Sequence, residues 1–352
     1  MKPNRQLVMT VLKIVVPAAI IGFLVYRIKP EEWRELSEHP KNYWLLASAL
    51  GVAIAAISLS FARWCLLVRC QGIRLTMLEA HRLGAICFLL NFVSAGSVGG
   101  DVFKAVFLAK RRPGKRVEAV ASVLVDRGVG LYGLVLLASA AFLFHGGVSP
   151  DEEMAKLKFG TALLAVSGTF VLSVLVFGGS FVDRLVQWGG RLPLIGGLVL
   201  KIGPPLRMFH HHPFAFGASI LMSVGVHGLL TVSMYLIARG LYPSIPALSE
   251  HLVIVPLAML ASAAPITPAG IGVLELAMNW LYKLIPATPT AASGTLIALV
   301  FELVKVTVAI IGTIFYWTAS EEVRESLGAA GHEDADEALP APANTASETT
   351  AV

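Results

Sequence analysis

Residues 91–104 read N-F-V-S-A-G-S-V-G-G-D-V-F-K, and residues 265–275 read P-I-T-P-A-G-I-G-V-L-E. Each interrupts a long apolar stretch with glycine or proline and then presents a carboxylate, Asp101 in the first and Glu275 in the second. Backbone that leaves the helical pattern at membrane depth must be buried in protein or line a watery cavity, because lipid satisfies neither N–H nor C=O. Two such breaks in corresponding places of two halves are the pattern of a transporter built from repeats, with its site at the breaks. In the first, Asn91 opens the break, and Gly96, Gly99 and Gly100 permit a tight reversal and close helix approach. In the second, Thr267 and Pro268 suit an N-cap and a first helical turn, with Gly270 and Gly272 following. Both breaks would place helix N-termini inside the membrane, where they favour anions such as phosphate. The plainer use of the same glycines is tight helix packing.

Composition puts these segments in a bilayer. Apolar residues make up 56% of the 352-residue chain and charged residues 14%, and mean hydropathy is +0.72. A soluble domain is about one-quarter charged. No stretch is long and polar enough to form a soluble catalytic domain. From residue 319 on, eight carboxylates stand against Arg324 alone, a net charge of −7. The whole chain is +5, which leaves +12 on the part before it. That tail is rich in Ala, Pro, Thr and Ser and is expected to be disordered. The basic remainder suits anionic lipid headgroups or simply sets topology, and no nucleic-acid partner is expected. Cys65, Cys70 and Cys87 have neither disulfide nor metal spacing. Near the N-terminus, Lys2, Arg5 and Lys13 flank an apolar run to Val25. Pro17-Ala18-Ala19 is a weak cleavage site inside that run, so an uncleaved first helix is expected.

Full spans are expected near 8–27, 44–64, 117–144, 157–178, 214–238 and 292–317, with broken apolar stretches at 83–110 and 249–284. Arg63, Arg69, Arg74 and Arg82 precede the first break, and Lys104, Lys110, Arg111, Arg112, Lys115 and Arg116 follow it. Basic loops stay cytoplasmic, so 83–103 reads as a hairpin that enters and leaves from that side. The acid-rich 145–156 loop reads as outside, with a capping box at 149–152. The basic 179–213 connection returns inside, and 249–284 becomes a second hairpin from the opposite face. The expected fold is an all-α polytopic bundle with two re-entrant helical hairpins and inverted-topology repeats over about 44–144 and 214–317. It forms a transmembrane domain over 1–318, with cytoplasmic termini and an acidic cytoplasmic tail over 319–352. Trp44, Trp64, Trp280 and Trp317 fall at span ends, where interfacial anchors belong.

Four charges fall deep within spans. Asp126, Arg127, Glu302 and Lys305 each lie about ten residues in, or about 15 Å at 1.5 Å per residue. Each costs at least about 2.5 kcal/mol on insertion scales and therefore faces the bundle interior or a cavity. Asp126 and Arg127 are adjacent and need separate partners, whereas Glu302 and Lys305 can pair along one helix face. A transport path and a buried structural ion-pair network both fit these four. Arg63 and Arg82 bracket the cytoplasmic mouth, and snorkelling is their ordinary use. His227 lies within a span and reads first as a hydrogen-bonded packing residue. His210-His211-His212 is a weak metal pattern, and no metal or cofactor is expected.

At Gly96-Ser97-Val98-Gly99-Gly100-Asp101, the basic run 110–116, Asp126-Arg127-Gly128 and Thr267-Pro268-Ala269-Gly270-Ile271-Gly272-Val273-Leu274-Glu275, the chain resembles the lysylphosphatidylglycerol synthase transmembrane region, or flippase-like domain, family. The resemblance covers about residues 5–318. In that family Arg often follows the G-G-D element, and here Lys104 takes the nearby basic role. An E-R pair is common where Asp126-Arg127 stands. The cytosolic aminoacyl-transferase domain of bifunctional relatives is missing. The resemblance therefore implies lipid translocation in the cell inner membrane rather than aminoacyl-lipid synthesis. The expected partner is a polar-headed, phosphate-bearing lipid, either a phospholipid or an isoprenoid-linked lipid, and self-association stays open. Helix N-termini with Arg127 or Lys305 would hold the phosphate, while Asp101, Glu275, Asp126 and Glu302 would orient those cations or bind a cationic headgroup. A membrane-embedded lipid-modifying transferase and an ion-coupled small-solute transporter are the alternatives. The transferase lacks a nucleotide motif, a Ser/His/Asp set and a metal cluster, so no catalytic residues are assigned.

Overall fold

The computed structural model describes residues 40–93, 99–112, 114–144, 152–191, 196–264 and 270–317, with isolated positions at 26, 30, 34 and 37. The expected first span at 8–27, Gly96, Thr267, Pro268, most of the 149–152 capping box and the tail over 319–352 lie outside the described residues.

Among the described residues the chain is all-helical. Helix α1 is Tyr43–Cys70, α2 Met77–Val93, α3 Gly99–Arg111, α4 Arg116–Phe144 and α5 Glu152–Phe177. Then follow α6 Ser180–Gly189, α7 Gly196–Arg207, a 3₁₀ turn Met208–His211 and α8 Pro213–Leu241. Helices α9 Leu248–Ser262, α10 Val273–Leu284 and α11 Gly294–Trp317 complete the chain. Five of them (α1, α4, α5, α8 and α11) are long and apolar enough to cross a membrane. Helices α2, α3, α9 and α10 have 17, 13, 15 and 12 residues. At 1.5 Å per residue they reach about 18–26 Å, short of an average 30 Å hydrocarbon core.

Local sequence explains the helix starts. The Asn42 side chain accepts the Leu45 N–H and caps α1. Pro213 opens α8, where its missing N–H costs nothing. At α2 the Thr76 N–H donates to Glu79 Oε2 at 2.8 Å, and at α9 the Ala247 N–H donates to Glu250 Oε2 at 2.6 Å. Arg111, at the end of α3, lies 2.6 Å from Glu79 and ties the two ends of the first helix pair together. Burial pushes the Glu79 carboxyl up, but the Thr76 N–H, Arg111 and the Thr76 hydroxyl outweigh it, leaving it below the ordinary value.

The packing repeats itself. Helix α1 lies along α8. Helix α2 packs on α11, and α9 packs on α4. Helix α2 pairs with α3, and α9 with α10; α3 then packs on α4, and α10 on α11. These contacts are matched between the helices from 43 to 144 and those from 213 to 317, while α4 also packs on α5 and α7. The largest apolar core joins α1, α4, α8, α9, α10 and α11, through Met234, Ile254, Met278, Ile297 and Phe301 among others. A smaller one joins Phe88 and Leu89 of α2 to Leu299, Val306 and Ala309 of α11 and to Ile271.

Two readings of the sequence are corrected. Trp64 is not an interfacial anchor: it is fully buried, with the Lys104 ammonium 4.8 Å from its ring centroid, whereas Trp44 and Trp280 are exposed. The 179–213 connection, to which the sequence reading assigned no helix, holds α6, α7 and the 3₁₀ turn. Phe181, Leu185 and Trp188 form an exposed apolar face on α6. Neither helix is long enough for a span, and α7 also carries Pro204 and Pro205 within it.

The α2–α3 pair closes on a glycine. A Cβ on Gly100 would stand 2.4 Å from the Cys87 carbonyl oxygen, whereas one on Gly128 meets nothing within 4 Å. Gly100→Ala is expected to destabilise the protein by about 1–3 kcal/mol. Gly128→Ala is expected to be neutral or stabilising by up to about 1 kcal/mol through helix propensity. Thermal unfolding in detergent compares them, and equal shifts would mean that the close approach does not hold the pair.

Candidate functional site

The site grows from the α2–α3 reversal. The Gly100 N–H donates to Asn91 Oδ1 at 3.0 Å, so a side chain of α2 satisfies one of the orphan donors at the start of α3. Gly99 begins α3, and Asp101 sits in its first turn. Across on α4, Arg127 Nε donates to Asp101 Oδ2. One turn further along α3, the Lys104 ammonium lies 3.7 Å from Asp126 Oδ2. The two neighbouring charges of α4 thus point to different partners, as the helical geometry requires.

Asp126 has a second partner. Arg63 of α1 donates from Nε to Asp126 Oδ1 at 2.9 Å and from Nη1 to Ser223 Oγ of α8 at 2.9 Å. Ser223 passes its own proton to the Val129 carbonyl at 2.9 Å. Gly130 leaves room for the guanidinium, since a Cβ there would stand 3.4 Å from Arg63 Nη2. Arg63 is buried, so snorkelling does not describe it. A basic residue near a span end carries the same local signal in both cases, and only the distant partners Asp126 and Ser223 separate them. Arg82, by contrast, is exposed. His227 Nε2 donates to the Gly130 carbonyl at 3.0 Å, the packing role the sequence suggests. His210 Nδ1 donates to the Val176 carbonyl in the connection after α5.

The second half holds a different set. The Glu275 carboxylate reaches back, its Oε2 accepting the Gly272 N–H at 2.6 Å, and so caps α10 where Gly272 has φ of 95°. Glu275 and Asp101 are each the third residue of their helix, where a carboxylate also meets the positive end of the helix dipole. Glu302 and Lys305 pair one turn apart on α11, with Nζ 2.7 Å from Oε1. Their side chains are 0% and 15% exposed. Glu275 lies within electrostatic range of Glu302. Gly270 rests against the end of α9, where a Cβ would stand 2.9 Å from the Ser262 carbonyl oxygen.

The sequence-selected residues therefore form two groups. Asn91, Gly99, Gly100, Asp101, Lys104, Asp126 and Arg127 join in the first, and Gly272, Glu275, Glu302 and Lys305 in the second. Arg63 and Ser223 join the first unannounced. A further polar cluster went unread: Tyr282 donates to His251 Nε2 at 2.6 Å, and Glu250 Oε1 accepts the Ala287 N–H at 2.9 Å. Its partners lie 31 and 37 positions apart, and no local pattern joins them.

Formal charges differ between the groups. Arg63, Lys104 and Arg127 outnumber Asp101 and Asp126 by one, whereas Glu275 and Glu302 outnumber Lys305 by one. Arg127 is also distinctive in accessibility: its side chain is 44% exposed, although Asp126 beside it is buried. The first group can attract an anion, with Arg127 as its open face.

Arg63→Gln leaves Asp126 with only the more distant Lys104, 3.7 Å away, and losing one partner of a buried pair typically costs about 3–5 kcal/mol. The double variant R63Q/D126N removes both charges and is expected to recover a large part of that loss. Thermal unfolding of the single and double variants gives the coupling; additive effects would mean that the pair does not interact.

The model of the family described as lysylphosphatidylglycerol synthase TM region matches residues 10–312. No curated protein and no solved structure matches the chain.

Proposed function

The chain belongs to the lysylphosphatidylglycerol synthase TM region family of membrane proteins, and on that premise we propose that it moves a polar-headed, phosphate-bearing lipid between leaflets. The observation that carries this reading is Arg127. It lies eleven residues into α4, about 16 Å along the helix axis. A charge at that depth does not face hydrocarbon, yet its side chain is 44% exposed. Such a residue borders a groove that admits water or a headgroup. A phosphate entering that groove competes with Asp101 for the guanidinium, while the acyl chains stay in lipid. Lys104 and Arg63 add positive potential behind it, and Asp126 keeps those cations in place.

The proposed architecture is an inverted repeat. The α2–α3 and α9–α10 pairs are re-entrant hairpins from opposite faces, and the halves 44–144 and 214–317 are related by a pseudo-two-fold axis in the membrane plane. The matched neighbours of the two halves, the matched caps at Glu79 and Glu250, and the matched third-position acids Asp101 and Glu275 support it. The Lys/Arg distribution supports an inner-membrane protein with cytoplasmic termini and a separate cytoplasmic tail over 319–352. The protein acts as a carrier rather than an enzyme in this reading, needs no cofactor, and takes membrane lipid as its partner.

Arg127→Gln keeps volume and removes the charge. Because Arg127 is half exposed, the variant is expected to insert and fold with little loss of stability. Reconstituted into vesicles, it is expected to translocate a labelled phospholipid at least ten-fold more slowly than the wild type. Wild-type translocation would remove Arg127 from the path. Conversion of the lipid to a new product by the purified protein would favour a transferase instead.

A further inference from the structure

The segment between α5 and α8 has no part in the lipid path past Arg127, yet it combines an open apolar face with a polar cavity. On α6, Phe181, Leu185 and Trp188 recur at i, i+4 and i+7 and so share one face. They are 50%, 45% and 66% exposed, so no other described part of the chain covers that face. A different face of α6 is committed to α7: a Cβ on Gly203 would stand 2.7 Å from Val186, and one on Gly189 3.1 Å from Val199. Arg184 and Arg191 are exposed at and beyond this helix. Over 179–213 the sequence sets Arg184, Arg191, Lys201 and Arg207 against Asp183, a net charge of +3 with histidine neutral.

The cavity has a volume of about 270 Å³. Ser180 and Val182 of α6, Arg207 of α7, and His210 and His211 of the 3₁₀ turn help to line it. Ser180, His210 and His211 are exposed, so the cavity is reached from the surface. Among the described residues no carboxylate lines it. A guanidinium, imidazoles and a hydroxyl are donors that suit phosphate oxygens. Ser180 is also the first residue of α6, so the positive end of that helix belongs to the lining.

The neighbouring spans fix the level at which these features lie. Gln71, at the end of α1, donates from Nε2 to the Pro205 carbonyl of α7 at 3.0 Å. Lys115, just before α4, donates to the Gln71 carbonyl at 2.9 Å. His210 donates to the Val176 carbonyl in the last turn of α5, and Pro213 opens α8. One end of four spans thus meets α6, α7 and the 3₁₀ turn, which places them at the edge of the bilayer. Phe177 and Phe214, at the flanking span ends, are exposed as well. A helix with Phe, Leu and Trp on one face and cations beside it, held at this level, lies in the plane of the interface.

We propose that α6 lies in the headgroup layer with Phe181, Leu185 and Trp188 against the acyl chains, and that the adjoining cavity holds the phosphate of an anionic phospholipid. This lipid is a bound partner at the rim of the protein, and its site is independent of lipid translocation at Arg127. The net positive charge selects an anionic headgroup over a zwitterionic one, whose choline would bring a cation toward Arg207.

The test uses the full chain in two preparations. In vesicles of phosphatidylcholine and phosphatidylglycerol, Leu185→Cys carries a thiol-reactive fluorophore; Cys65, Cys70 and Cys87 are buried, so the label goes to position 185. A lipid with a nitroxide near the top of its acyl chain is expected to quench it, and a water-soluble quencher is not. Quenching from water alone, or by neither agent because a second copy covers the face, overturns the proposal. In detergent, native mass spectrometry follows titration with phosphatidylglycerol, phosphatidylcholine or inorganic phosphate. Wild type is expected to hold phosphatidylglycerol about ten-fold more tightly than phosphatidylcholine, and inorganic phosphate only weakly. Arg207→Gln and Ser180→Asp are each expected to lose that phosphatidylglycerol. Ser180→Asp places an acid in the first turn of α6, where the helix dipole favours it, so it is expected to keep the wild-type unfolding temperature while repelling a phosphate. Equal retention of the two lipids, or retention unchanged in S180D, overturns the proposal. Inorganic phosphate held as tightly as the lipid overturns it in favour of a soluble anion.

Discussion

Six of the described helices are too short to cross a bilayer, and for four of them, α2, α3, α9 and α10, that constraint shapes the rest of the structure. A half-length helix leaves an end inside the protein, and each end carries N–H or C=O groups that lipid cannot satisfy. Asn91 answers this for α3 through Gly100, and Glu275 answers it for α10 through Gly272. These side chains are fixed by the need to cap, so they cannot be the free binding groups that their position near glycine-rich segments suggests. The groups left for chemistry lie one turn further on or across on the neighbouring long helix: Lys104, Arg127, Glu302 and Lys305.

The long helices then do two jobs. They span, and they carry the charges that the short helices need as partners. Arg63, Asp126, Lys104 and Ser223 draw α1, α3, α4 and α8 together at one place. Coulombic attraction in a low-dielectric interior is strong, and so is the penalty for leaving a member unpaired. The cluster therefore specifies which helix faces meet, which apolar side chains alone would not do in a solvent as apolar as themselves.

Legibility in the sequence followed the range of each interaction. The five long spans were visible because hydrophobic length is a local property. The Glu302–Lys305 pair was visible because a helix brings residues three apart onto one face. That Asp126 and Arg127 must diverge was visible for the same reason. Arg63 was not, since its partners lie 63 and 160 positions away. Trp64 was misread for a similar cause: both an anchor and a buried ring at the base of an ammonium sit near a span end. Helices α6 and α7 were missed because a search for spans passes over helices of ten and twelve residues, and Pro204 and Pro205 interrupt the pattern of α7.

The two halves share neighbours and caps but not charge, and this difference bears on mechanism. If each half had the same surplus, an anionic headgroup would be held equally by both and would have no reason to leave one for the other. Here the cationic surplus is half exposed at Arg127, while the anionic surplus is enclosed around Glu302. On the proposed reading a phosphate would exchange for Asp101 at Arg127, the more accessible of these cations. The packing of α2 on α11 joins the α2–α3 pair, which carries Asp101, to the helix that carries Glu302. If the protein translocates lipid as proposed, that shared apolar contact would let a displacement of one element bear on the other.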